Sequence, residues 1–155
     1  MIEHRATLHW NSQGADFLAG DYSRAHTWRF DGGLAICAAA SPHNVAAIHT
    51  DPSAVDPEEA FIAAIASCHM LTFLYLAYRA GLHLTAYDDE AVGEMAVNAQ
   101  GANWVGSVKL HPKLTFANAT SAPSADVIAR LHHEAHAQCF IANSVKTEVS
   151  IIPSA

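Results

Sequence analysis

The chain is poor in charge. Only 15% of its 155 residues are charged, and 8 Lys and Arg stand against 15 Asp and Glu, for a net charge of −7 with histidine neutral. Basic residues so few and scattered do not build a phosphate-tracking surface, so no nucleic-acid partner is expected. Cysteine is scarce as well. Cys37, Cys68 and Cys139 lie far apart and no C-x-x-C pair is present, which argues against a disulfide scaffold. Thiols spaced this widely suit a reducing compartment, where they are buried, catalytic or redox-active rather than structural. No apolar h-region follows Met1-Ile2-Glu3-His4-Arg5, and the expected location is cytoplasmic. No clean apolar run reaches the ~20 residues of a membrane span. Internal repeats, low-complexity tracts and a repeated βαβ unit are also lacking.

Apolar side chains, by contrast, make up 51% of the chain. A chain of this length fits one domain over residues 1–155 with a real core. So much apolar area with so little charge implies surface buried against a partner subunit. The longest apolar stretch, Asp56 to Gly81, reads as one central helix. Asp56 is its N-cap, Pro57 sits where a missing N–H costs nothing, and Glu59 completes a capping box. Gly81 stops it, with Arg79 in the last turn facing the negative end of the dipole. From Ala60 to Tyr78 no polar stripe recurs at helical period, so the helix is expected to be covered on all sides.

The flanking segments read mostly as strands. His4–Trp10 alternates, His26–Ala38 forms a hairpin about Asp31-Gly32-Gly33, and Ser41–Val55 is a connection. Leu82–Tyr87 and Ala91–Ala99 are strands separated by an acidic Asp88-Asp89-Glu90 turn. Val105–Ala117 is strand-like, with Pro112 marking an edge or a bulge. Ser121-Ala122-Pro123-Ser124 opens a second helix with Val127, Ile128, Leu131 and Ala135 at helical spacing, ending near Phe140–Asn143. Lys146–Ile152 closes the chain as a strand. The order predicts an α+β fold, a long buried central helix and a second helix packed on antiparallel sheet.

Three sets of residues could carry chemistry. Cys68, inside the central helix, is on its own most simply an inert core thiol, and Cys37 a small core residue of a strand. Cys68 and Cys139 are the only two cysteines both placed on helices, and whether their sulfurs meet is open at this level. His132, His136 and Cys139 fall at i, i+4 and i+7, a spacing that could suit zinc, set against the commoner case of solvated helix histidines. His69 follows Cys68 but points about 100° away around the helix and is not automatically its base.

Asp56-Pro57-Glu58-Glu59 leading to Ala66-Ser67-Cys68, Cys139 followed by Ile141-Ala142-Asn143-Ser144, and Tyr22-Ser23-Arg24 before a Gly-Gly hairpin together resemble the OsmC/Ohr family. The likeness covers nearly the whole chain, although Phe140 follows Cys139 where many members have proline. The resemblance implies an intertwined homodimer and a thiol-dependent peroxidase reducing organic hydroperoxides. Cys68 would be the peroxidatic cysteine, Cys139 the resolving one, and Arg24 and Glu58 the polar pair that activates it. The family's usual reductant is a lipoyl dithiol, and no metal or nucleotide cofactor is implied. The alternative from another class is a non-enzymatic binding protein holding an apolar ligand at the dimer interface.

Helix geometry adds a constraint. Ten residues of straight helix span ~15 Å and leave Glu58 and Cys68 about 80° apart in azimuth. Either the helix breaks between them or Glu58 serves the cysteine of another subunit. Ala60, Ala63, Ala64 and Ser67 are small enough for two copies of the helix to cross there about a two-fold axis.

Overall fold

The computed structural model describes residues 2–118 and 122–153. The backbone gathers into two units, residues 1–60 and 61–155.

In the first unit, strands β1 (Ala6–His9), β2 (His26–Phe30) and β3 (Ala35–Ala38) form an antiparallel sheet in that order. Strands β2 and β3 are the expected hairpin, closed where Phe30 N–H donates to the Leu34 carbonyl at 2.9 Å. Trp10 falls outside β1, and its indole N–H donates to the Ser23 carbonyl at 2.8 Å. Cys37 is exposed, which corrects its reading as a core residue. Neighbouring strand residues face opposite ways, and it is Ala38, bridged to Val55, that takes the buried side.

The central helix, α1 (Pro57–Arg79), is unbroken over 23 residues. Its capping box forms as expected: Glu59 N–H donates to Asp56 Oδ1 at 2.7 Å, and Asp56 N–H to Glu59 Oε2 at 3.2 Å. At the other end Gly81 adopts a φ of 73°, a value that only glycine takes without strain. Leu82 N–H then reaches the Ala77 carbonyl and Gly81 N–H that of Tyr78, both at 3.0 Å, satisfying the last loose carbonyls.

Only one stripe of α1 is buried, Ile65, His69, Phe73 and Ala77 at four-residue intervals. The expectation of cover on all sides therefore does not hold within one chain. Ala63, Ala64, Ser67, Leu71, Tyr75 and Tyr78 form a second stripe that is exposed, because the chain folds a wall against one side of the helix only. By length and apolarity alone α1 would pass for a membrane span.

The second unit adds β4 (Leu84–Asp89), β5 (Val92–Val97), β6 (Asn103–Leu110), β7 (Pro112–Phe116), helix α2 (Ala125–Gln138) and β8 (Glu148–Ile151). Strands β4 and β7 pair antiparallel, as do β5 and β6, while β8 joins β6 in parallel. One cluster joins Phe73 and Ala77 of α1 to Leu131 and Ala135 of α2 over Leu84, Tyr87 and Leu114. A second joins Ile65 to Val108 and Leu110. A Cβ on Gly93 of β5 would stand 2.4 Å from Ile62 Cδ1, so the helix lies tight against the sheet there.

Three boundaries differ from the sequence reading. Val105–Ala117 is two strands in two sheets, divided at His111: Pro112 has no N–H for a continuous ladder, and His111 N–H turns to Asp89 Oδ1 at 2.6 Å. Asp88 and Asp89 belong to β4 rather than a turn, with Asp89 opposite Pro112. Helix α2 has Ser124 as its N-cap residue and ends at Gln138, so Cys139 is its C-cap residue rather than part of it. Ser121 lies outside the described residues. The architecture is α+β, two helices packed on sheets that are antiparallel apart from the β6–β8 pair.

Candidate functional site

Cys68 and Cys139 come together: the two thiols are neighbours, close enough for the Cys68 side chain to act on the Cys139 thiol. Further along, His69 and Phe73 of α1 contact His132 of α2. The same stretch of α1, residues 68 to 73, thus meets both the C-cap residue of α2 and His132, two turns earlier on it.

The two sulfurs differ in access. Cys139 is 0% exposed, whereas Cys68 is half-buried and lines an open groove of about 880 Å³. Leu71, Tyr75, Phe140 and Ile141 share that wall, and Phe140 is 83% exposed. A small apolar molecule entering the groove reaches Cys68 and not Cys139.

The Ile141-Ala142-Asn143-Ser144 segment holds Cys139 in place. Asn143 Nδ2 donates to the carbonyls of Ala137 and Cys139, both at 2.9 Å, taking up loose carbonyls at the end of α2. Ala142 N–H points at the Cys139 sulfur from 3.4 Å. Burial pushes the Cys139 thiol up from its ordinary range, the neighbouring Cys68 thiol adds to this, and the Ala142 N–H opposes both. The balance favours the protonated form of Cys139.

Arg24 and Glu58 are both anchored, but not to each other. The Arg24 guanidinium donates to the Tyr22 carbonyl at 2.5 Å and that of Gly20 at 3.2 Å, and lies 4.0 Å from the centroid of the Tyr22 ring. That ring packs with Trp10 and Phe17. Glu58 Oε1 accepts from Asn44 Nδ2 at 3.0 Å, and its Oε2 is buried without a hydrogen-bond partner among the described residues. Among the described residues, no Arg24–Glu58 ion pair forms. Because α1 is continuous, the break that would let Glu58 reach Cys68 of its own helix is absent from it.

Of the α2 histidines only His133 is exposed; His132 is buried and His136 half-buried, so this pair is not a solvated face. His132 is 3% exposed, His69 is 1% exposed, and His69 Nε2 lies 3.0 Å from His132 Nδ1. Phe73 stacks on His132 with centroids 4.2 Å apart. Burial, with the neighbouring imidazoles adding at His69, drops both rings from 6.5 to about 4, so both are neutral near pH 7. Among the described residues, no group of three or more His, Cys, Asp or Glu side chains is placed to hold a metal ion.

A sequence profile described as OsmC-like protein matches residues 50–154. The chain belongs to the OsmC-like family. Among solved structures, this OsmC-like chain is similar to an OsmC-like protein of unknown function from Vibrio cholerae, with 45% identity and a TM-score of 0.95, covering 99% of this chain and 100% of that one. At 16% identity it shares its fold with an organic hydroperoxide resistance protein OsmC from Legionella pneumophila (TM-score 0.73, covering 100% and 98%). The organic hydroperoxide resistance protein OhrB of Bacillus subtilis is comparable, at 16% identity and a TM-score of 0.71, covering 99% and 98%. No match was found among curated proteins.

Proposed function

We propose that this OsmC-like chain is a cytoplasmic antioxidant enzyme, a thiol-dependent peroxidase that reduces organic hydroperoxides. The observation that carries this reading is the pair of neighbouring thiols at an apolar groove, one sulfur open to the groove and the other buried behind it. The Cys68 thiolate attacks the distal oxygen of the hydroperoxide, the O–O bond breaks, and the alkoxide leaves and takes a proton to become the alcohol. Cys68 is then a sulfenic acid. Cys139 displaces its hydroxyl as water, giving a Cys68–Cys139 disulfide before further oxidation can occur. A dithiol reductant, lipoyl in class, restores the two thiols. Apolar walls favour organic hydroperoxides over hydrogen peroxide.

Arg24 and Glu58 are the proposed polar pair. A guanidinium near Cys68 would favour the thiolate and steady the departing alkoxide, and Glu58 would hold the planar Arg fork. The unbroken α1 and the unpartnered Glu58 Oε2 favour Glu58 acting on Cys68 of a second copy. The exposed stripe of Ala63, Ala64, Ser67 and Leu71 is the surface for that homodimer. Ala64→Leu is expected to shift the chain toward monomer in sedimentation velocity and to lower peroxide turnover. A variant that stays dimeric and active places the crossing elsewhere.

The direct test is thiol counting after one equivalent of cumene hydroperoxide. The peroxidase loses two thiols, and both return on adding reduced dihydrolipoamide. If no thiol is lost while the groove still takes up apolar molecules, the chain is a binding protein rather than an enzyme.

A further inference from the structure

The hydrogen-bonded pair of imidazoles between α1 and α2 has no part in the chemistry above. His69 directly follows Cys68 on α1, and His132 precedes Cys139 by two turns of α2. Helix α1 and helix α2 with its C-cap residue thus carry both the thiol contact and the imidazole contact. Besides His136, which also acts on His69 and whose Nδ1 is buried without a hydrogen-bond partner among the described residues, the side chains clustered between these helices are apolar: Phe73, Ala77, Leu131 and Ala135. Such contacts are non-directional and tolerate a shift along the helix axis. A ring-to-ring hydrogen bond at 3.0 Å does not, because it weakens steeply with distance and angle.

The pair is also costly. With both rings neutral, a single proton lies between them, and the far nitrogens, His69 Nδ1 and His132 Nε2, are buried without hydrogen-bond partners among the described residues. Each such atom costs roughly 1–3 kcal/mol. Two leucines would fill the space without that loss, so packing alone does not explain two histidines here.

We propose that His69 and His132 are positioning residues: a directional clamp that fixes the register of α1 against α2 and so holds the Cys68 and Cys139 sulfurs in reach of each other. This rests on the reading of those thiols as a disulfide-forming pair. In the reduced protein the clamp removes the helix sliding that closure of the S–S bond would otherwise have to suppress. Neither ring serves as the base for Cys68, since His69 is turned into the core toward His132.

The test is equilibration of the dimeric, full-length protein with reduced and oxidised glutathione, reading the Cys68–Cys139 disulfide by thiol alkylation and mass. His132→Leu fills the space without the hydrogen bond. His132→Asn places an amide atom where His132 Nδ1 stood. The clamp predicts that His132→Leu lowers the tendency to close by about tenfold, a rise of about 30 mV in the potential of the pair. His132→Asn is expected to recover most of it, with circular dichroism showing native helix in both. Should His132→Leu fail to fold, His69→Met is measured in its place. Equal closure in wild type and the apolar variant overturns the clamp, as does an Asn variant no better than Leu. A wild-type protein that forms no disulfide at any glutathione ratio overturns the thiol-pair reading itself, and the clamp with it.

Discussion

Cys68→Ser is expected to reduce organic hydroperoxide turnover with a dithiol reductant to the uncatalysed background, while leaving folding unchanged. The hydroxyl is close in size to the thiol, but a serine alkoxide is not accessible at neutral pH and oxygen does not accept a second oxygen atom as sulfur does. Cys139→Ser should behave differently. The open sulfur survives, so one equivalent of hydroperoxide is still consumed rapidly, but no disulfide forms and turnover stops. Excess peroxide should then carry Cys68 to the sulfinic acid, seen as the addition of two oxygens in the intact mass. Peroxide assays and mass spectra on the two variants separate the roles. Turnover by Cys68→Ser, or sustained cycling by Cys139→Ser, would assign the chemistry to other groups.

Acidification gives the second large effect. His69 and His132 titrate near 4 in the folded chain and near 6.5 when unfolded, so between those values the unfolded state binds more protons. Stability contributed by the neutral rings is therefore fully present above about pH 6.5 and is lost as the pH falls toward 4. A shift of this size amounts to about 3 kcal/mol for one ring. The two rings are coupled, so the pair contributes less than twice that. Asp89 works the other way: burial raises its pKa, so acid favours its folded form. Urea midpoints should fall markedly from pH 7 to pH 4.5 in the wild type. The fall should be much smaller in a His69→Gln/His132→Gln double variant. A wild-type midpoint that holds steady across this window would show that the rings are not the acid-sensitive element.

The parts of the fold legible in the sequence are those decided by near neighbours. Asp56 and Glu59 are three residues apart, and their reciprocal bonds follow from the cap they flank. Gly81 stops α1 through the conformation of one residue. The split at His111 was only half legible: Pro112 announced an interruption, but the choice of β4 as the partner of β7 depends on residues more than twenty positions away. Cys37 was misplaced because alternation tells which residues share a face and not which face is buried.

The site divides along the same line. The Glu58-to-Cys68 interval and the segment after Cys139 marked the two thiols, and small residues marked the stripe of α1 that is exposed. What was hidden is the contact between His69 and His132, separated by 63 positions. Each alone is a polar residue on an apolar face, with nothing nearby in the chain to name its partner. The capping role of Asn143 was equally silent, since it depends on where α2 ends.

The joint at His111 bears on how the second unit comes apart. Leu110 closes β6 inside one hydrophobic cluster and Leu114 of β7 packs on the other, with a single residue between the strands. Helix α1 ties the same two clusters a second time, through Ile65 at one and Phe73 at the other. Neither cluster has spare chain with which to loosen while the other stays folded. The second unit is therefore expected to melt in one transition, with the region of the thiol pair lost together with the rest of it.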